Sequence, residues 1–273
     1  MAPEAASGSA SGSVSRVAVV TGASAGIGRA IAVGLGALGW TVGLGARRVD
    51  QLDETAKLVA DVGGTPLVHP LDVTDSQSID DFCASVRDQA GTIDVLVNNA
   101  GTALPGAIHE MSDDDHRRII ETNLLGPILL TGRVVAGLRA DARPGDIVFI
   151  SSDASEHKRP HLATYGSTKT GAETFAQTLA LECEGVGIRS SIVRVGPTLT
   201  GFADDWDLSI FEELMPRWQR FGIQRHFNTM QPEDVARAVV TVVTAPAHMW
   251  VPIVEVQPNP PLDNDPESAP DGA

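Results

Sequence analysis

Residues 16 to 39 read "RVAVVTGASAGIGRAIAVGLGALG". The opening "RVAVVTG" is short, β-branched and apolar until a glycine ends it, and from Gly26 the apolar residues recur with helical spacing. A buried strand therefore feeds a helix through a glycine turn. Gly22 suits the tight turn, Gly26 lets the backbone come close to an anion, and Gly28 lets helix and strand pack together. The helix N-terminus beyond them offers free N–H groups to a phosphate. A dinucleotide fingerprint belongs at this place in a strand–helix unit; a glycine-rich turn with no ligand is the plainer alternative.

The alternation returns along the chain. "TVGLGAR" (41–47) precedes the helix "VDQLDETAKLVADVG" (49–63), "TPLVHPLDV" (65–73) precedes a helix near 76–90, and "IDVLVNNAG" (93–101) is a fourth strand. A long helix is predicted from about Ser112, where "SDDD" offers an N-cap with an acid three residues on, to about Leu138, with a kink at Pro127. "GDIVFISS" (145–152), a helix over about 162–184, "GIRSSIVRVG" (187–196), the helix "QPEDVARAVVTVVTA" (231–245) and "VPIVEVQ" (251–257) complete the series. Apolar strands separated by helical crossovers predict one α/β domain over 15–257, a Rossmann-type doubly wound parallel sheet of about seven strands with helices on both faces. In such sheets ligands bind beyond the carboxyl ends of the strands. The residues just after each strand are the ones to inspect.

With 273 residues, 42% of them hydrophobic and 20% charged, the chain suits one large α/β domain. No run approaches the roughly 18 uninterrupted apolar residues of a membrane span. A net charge of −15 argues against nucleic acid and anionic membranes as partners. The ends, 1–14 and 258–273, are small-polar and proline-acidic respectively and are expected to stay loose; the start has no basic and apolar signal pattern. Cys83 and Cys183 lack metal or redox spacing and read as buried thiols, which fits a cytoplasmic location. The seven histidines show no ligand spacing, so no metal is expected in the chemistry.

The only tyrosine, Tyr165, stands four positions before Lys169, one of three lysines. One helical turn apart, the two share a face. A phenol with a pKa near 10 is a poor acid or base at neutral pH. A cation about 4 Å away at an effective dielectric of about 20 contributes roughly 4 kcal/mol, enough to lower that pKa by up to ~3 units before desolvation opposes it. The lysine is therefore expected to make Tyr165 acidic; an ordinary exposed helical pair is the alternative.

The G-x-x-x-G-x-G spacing in "TGASAGIG" (21–28), then "NNAG" (98–101), Ser152 and "YGSTK" (165–169), in that order, resembles the short-chain dehydrogenase/reductase family in its compact single-domain branch, over about 16–257. The resemblance implies that Tyr165 is the acid/base, that Lys169 lowers its pKa and holds the nicotinamide ribose, that Ser152 orients the substrate oxygen, and that Asn123 anchors a proton-relay water. It implies a cofactor cradle of Gly22, Ser24, Gly26, Ile27 and Gly28. Asn98 or Asn99, with Ala100 and Gly101, would make room for the adenosine half, Asp72 would bond the adenine amine and Val73 would cover the ring. For Asp72, capping of the next helix is a fair competitor. Past the sixth strand, Gly196, Thr198 and Thr200 would meet the carboxamide and diphosphate, although Pro197 follows Gly196 where the family has Pro-Gly. Ser151 has the same chemistry as Ser152, but strand alternation points it the other way.

A carboxylate at the end of the second strand binds a ribose 2′-hydroxyl, whereas arginine there suits a 2′-phosphate. By the family alignment Ala46 occupies the acid position and Arg47 follows it, which predicts NADP(H) over NAD(H). Arg48 is a second phosphate ligand or a solvated charge, and Ala25 stands where NADP-using members often carry a base. Six of the twelve aromatic residues lie between Phe202 and Phe227. They suggest a lid over about 198–228 that favours a hydrophobic ketone or secondary alcohol; a helical pair packed on the body or a subunit is the alternative. His157 and His161, on the connection before Tyr165, read as surface residues or as substrate contacts. The family also implies a homodimer or homotetramer through the helices beginning near Ser112 and Leu162. A catalytically silent NADP(H)-sensing protein on the same fold is the runner-up. Nucleotide-sugar chemistry would need a larger C-terminal region than this chain has.

Overall fold

Seven parallel strands form one sheet in the computed structural model, which describes residues 15–203, 206 and 208–261. They are β1 (Val17–Thr21), β2 (Thr41–Ala46), β3 (Thr65–Pro70), β4 (Val95–Asn98), β5 (Gly145–Ser152), β6 (Ile188–Val195) and β7 (Ile253–Val256), in the order β3-β2-β1-β4-β5-β6-β7. The order reverses between β1 and β4, which opens the crevice where such folds hold ligands. Residues 1–14 and 262–273, where the loose ends were expected, lie outside the described residues. At the C-terminal boundary, Pro258 is buried and the Asn259 carbonyl accepts from Asn228 Nδ2 at 2.8 Å.

The helices are α1 (Gly26–Gly36), α2 (Val49–Asp61), α3 (Ser76–Ala90), α4 (Asp113–Ile120), α5 (Gly126–Ala140), α6 (Ala163–Glu182), α7 (Leu208–Arg220) and α8 (Pro232–Val243). Alternate strand residues face opposite layers. Ala18, Val20, Val95, Val97, Val148 and Ile150 pack with Ile31 and Leu35 of α1, Leu52 of α2 and Val239 of α8. Val19, Leu96, Ile147 and Phe149 meet Phe82 of α3, Leu130 of α5 and Leu179 of α6 on the other face. Both faces are covered, so both phases of the strand period must be apolar. That explains strands without polar alternation.

The long helix expected over 112–138 is divided, and not by a proline kink. A π-helical turn, Glu121–Leu125, separates α4 from α5, while Pro127 sits harmlessly in the first turn of α5, where its missing N–H is not needed. The turn ends against the loop that follows β3. A Cβ on Gly126 would stand 2.4 Å from the Val73 carbonyl oxygen, so only glycine lets the widened turn approach there. Gly126→Val should therefore destabilise the fold by about 2–3 kcal/mol, read from denaturant unfolding. The run Asp113–Ala140 is also the one stretch among the described residues long and apolar enough to cross a bilayer, by length and composition only.

Candidate active site

The anion cradle is built by backbone. Gly22 and Gly26 hold positive φ (66° and 53°), and α1 begins at once, with Ala25 at its N-cap and no acid in its first turn. Its first N–H groups are thus free of side-chain caps. A Cβ on Gly28 would lie 2.3 Å from the Gly22 carbonyl oxygen and 2.5 Å from Asn99 Nδ2, so glycine is what lets α1 close on β1. Ile27 packs partly buried on the core, and Thr200 reaches across to Gly26, within 3.4 Å of where a Cβ there would sit. At the end of β2, Ala46 is buried, Arg47 is exposed with no partner among the described residues, and Arg48 donates to Ser24 Oγ at 3.2 Å.

The strand ends beyond are tied together by Thr21, whose Oγ1 accepts the N–H groups of Asn99 (3.0 Å) and Ala100 (2.9 Å). Asn99 Nδ2 donates to the Thr21 carbonyl at 2.8 Å. Asn98, the other candidate, is not in the cleft. It is 4% exposed on the opposite face, and its amide donates to Thr131 Oγ1 of α5 at 3.0 Å. Asp72 accepts from the Thr74 N–H and hydroxyl (3.0 and 2.7 Å), whereas the cap of α3 is Asp75. Val73 is buried beside it, and Gly101 lies between Asn123 and Lys169. Past β6, Gly196 packs against Gln257, Thr198 Oγ1 donates to the Gly196 carbonyl at 3.0 Å, and Thr198 bridges to Met230.

Ser152 ends β5, and Tyr165 and Lys169 occupy the first two turns of α6, which packs on β5 and β6. The Ser152 hydroxyl is near enough to the Tyr165 phenol to oppose its rise in pKa. Lys169 Nζ lies 5.8 Å from the centre of the phenol ring but donates to the Ile150 carbonyl at 2.9 Å. Asn123, in the π turn, clasps Thr102, accepting its N–H at 2.8 Å and donating to its carbonyl at 2.7 Å. The expectation that Lys169 acidifies Tyr165 is not met by the protein's own groups. Burial pushes the phenol up to about 12, against the Ser152 hydroxyl, with Asp153 raising it and Arg159 lowering it. The residue as a whole is half-buried, but its hydroxyl lies deep enough for desolvation to dominate. Burial likewise pushes Lys169 down to about 8, with the charge of Glu173 opposing.

Beneath the site lies a buried ionic cluster that the sequence reading missed. Glu173 Oε1 accepts from Ser151 (2.6 Å) and Ser155 (2.6 Å), and Arg194 bonds both its oxygens (3.1 and 2.7 Å). Arg194 also reaches Glu255 of β7 at 3.0 Å. Ser151 therefore points away from the phenol, as alternation required. The signal was present, because Tyr165, Lys169 and Glu173 recur every four residues on one helix face, and Arg194 interrupts an apolar strand. Burial raises the Glu173 carboxyl, but the bonds from Arg194, Ser151 and Ser155 outweigh it and hold it below the usual range. Its contribution to stability is therefore full above about pH 4.3, the unfolded value, and fades as pH falls through the lower folded value. Glu173→Ala should cost about 3 kcal/mol in unfolding measurements at neutral pH, because it leaves a buried guanidinium only its more exposed partners Glu156 and Glu255.

On the substrate side, the aromatic segment is partly packed and partly free. Leu214 and Trp218 of α7 are buried with Ala103 and Leu162, against Tyr165, and Trp206 Nε1 donates to the Ala103 carbonyl at 3.0 Å. Phe202 lies 6.0 Å from the Tyr165 ring and 43% exposed, while Phe221 and Phe227 are exposed on the surface. Residues 204, 205 and 207 of the expected lid lie outside the described residues. His157 is exposed. His161 is a tenth exposed, at φ 67°, with Nε2 3.1 Å from Arg217 of α7.

The family model described as short chain dehydrogenase matches residues 16–209. A 2,3-dihydro-2,3-dihydroxybenzoate dehydrogenase of Bacillus subtilis is 31% identical over 245 residues, 87% of this chain and 92% of that one. A glycine betaine reductase of Emericella nidulans is 31% identical over 243 residues, and there the chain spans 89% of its own length but only 19% of the relative's. Among solved structures, an actinorhodin polyketide ketoreductase with NADPH superposes with a TM-score of 0.79 at 30% identity, covering 90% of this chain and 97% of that one. By the family model and its relatives, and in agreement with the sheet order, the chain belongs to the short-chain dehydrogenase family of oxidoreductases.

Proposed function

We propose that the protein is an NADP(H)-dependent oxidoreductase that interconverts an apolar ketone and its secondary alcohol, with Tyr165 as the acid/base. One observation carries the reading: Ser152 and Tyr165, near enough for the serine to oppose the rise in the phenol's pKa, stand with Lys169 at the same edge of the sheet as the uncapped N-terminus of α1. The cradle fits a dinucleotide, since Gly28 leaves the space a side chain would fill and α1 carries no acid that would repel a diphosphate. Arg47, Arg48 and Ser24 would hold a 2′-phosphate, and Lys169 the ribose nearest the chemistry. The NADPH in the ketoreductase neighbour supports that preference.

Bound NADPH supplies the hydride to the carbonyl carbon. As charge builds on the carbonyl oxygen, Tyr165 gives up its phenolic proton to it and Ser152 donates a hydrogen bond to the same atom. A phenol raised to about 12 is fully protonated at neutral pH, the form that reduction requires. Alcohol oxidation needs the phenolate and gains as pH rises. Phe202, Trp206 and Trp218 give the pocket an apolar wall. Exposed Ile120 at the end of α4, Leu125 at the end of the π turn and Leu181 on α6 support assembly of copies through these helices.

Steady-state assays of NADPH and NADH against a panel of bulky ketones test the proposal. The expected result is NADPH oxidation with at least one of them. Tight NADPH binding with no turnover of any would favour the silent sensor, and faster turnover with NADH would overturn the cofactor assignment.

A further inference from the structure

The Ser152 hydroxyl has one proton, and Asp153 would compete for it with a bound substrate oxygen. Its oxygen accepts the Ala154 N–H at 3.2 Å, and the hydroxyl reaches Asp153 Oδ1 at 3.3 Å. Asp153 is 5% exposed and is paired at both oxygens by Arg159, whose Nη2 lies 2.8 Å from Oδ2 and whose Nη1 bonds Oδ1. The guanidinium in turn lies 5.6 Å over the Trp218 ring of α7. Resting on the assignment of Ser152 and Tyr165 to the chemistry, we propose that Asp153 and Arg159 are positioning residues that decide whether the Ser152 proton points at Asp153 or at the substrate oxygen.

The argument is one of hydrogen-bond supply. A Ser152 hydroxyl that donates to Asp153 has its proton directed away from the substrate. Arg159 occupies both carboxylate oxygens and neutralises the charge, which weakens Asp153 as an acceptor and frees the hydroxyl to turn. Because Arg159 is seated on Trp218, the packing of α7 reaches the serine through this pair. The charged and titratable groups facing the phenol are Asp153 and Arg159 from the β5–α6 connection and Lys169 from its own helix. On α7, Glu213 and Arg217 engage each other and His161.

The test uses the full chain with NADP+ and the alcohol of the best ketone, and measures kcat and KM against pH for wild type, Asp153→Asn, Arg159→Met and the double variant. Arg159→Met should lower kcat about tenfold at pH 7 with little change in KM. It should also move the rise of kcat on the order of one unit upward in pH, as the uncovered carboxylate disfavours the phenolate. Asp153→Asn should move that rise downward, and adding it to Arg159→Met should recover most of the lost kcat. Should Arg159→Met not fold, Arg159→Lys, which keeps a charge but cannot fork across both oxygens, must shift the rise in the same upward direction. Shifts of one sign in all variants, no shifts, or a double variant no better than Arg159→Met would overturn the proposal. A wild type whose turnover does not depend on Tyr165 would instead overturn the functional assignment beneath it.

Discussion

Tyr165→Phe should lose about a thousandfold in kcat, roughly 4 kcal/mol of transition-state stabilisation, while NADPH binding weakens by no more than a few fold. The phenol is the chain's only tyrosine, and the neighbouring Ser152 hydroxyl is too weak an acid to replace its proton. Loss of the hydroxyl leaves the ring, which packs with Phe202 and the α7 cluster, so the fold and the cleft survive. The measurement is turnover in both directions beside fluorescence titration with NADPH. Residual activity within tenfold of wild type would refute the role given to Tyr165. The pH dependence is a second check, since reduction should stay flat across neutral pH and bend where Lys169, held near 8, gives up its charge.

The second large effect concerns the cofactor. Ala46→Asp places a carboxylate at the end of β2, beside Arg47 and across from Arg48 and Ser24. Against a 2′-phosphate about 4 Å away, that charge costs roughly 3–4 kcal/mol at an effective dielectric of about 20. The NADPH to NADH ratio of kcat/KM should fall about 10²- to 10³-fold, most of it as a higher KM for NADPH. A ratio unchanged by the substitution would mean that the 2′-phosphate is read elsewhere.

Most of the fold was legible because a doubly wound sheet writes itself as apolar strands and amphipathic helices in alternation. The strand ends follow from it, and Ser152 stands at one of them, whereas Tyr165 was singled out by its spacing to Lys169 and Asn123 by the family resemblance. The π turn was not legible. At its end Gly126 approaches the Val73 carbonyl, and a contact between residues so far apart leaves no local pattern. The choice between Asn98 and Asn99 was available in principle, for Asn98 is in phase with Leu96, which faces α5. The pKa of Tyr165 was misjudged for a sharper reason. A spacing of four puts two side chains on one face but does not say where the ammonium aims, and here it is drawn to the Ile150 carbonyl. Glu173 and Arg194 show in the sequence only as a charge on a helix and a charge in an apolar strand, and neither pattern names its partner.

The Glu173–Arg194–Glu255 chain of bonds has a consequence for biosynthesis. The helix carrying the phenol leaves the ribosome well before the last strand does, yet the guanidinium under its serines shares its bonds with a carboxylate on that strand. Until the strand emerges and adds to the sheet edge, a nascent chain holds that buried cation with part of its neutralising partners missing. The reactive centre should therefore mature late in translation, and arrested chains ending before Ile253 should bind dinucleotide poorly and turn over nothing.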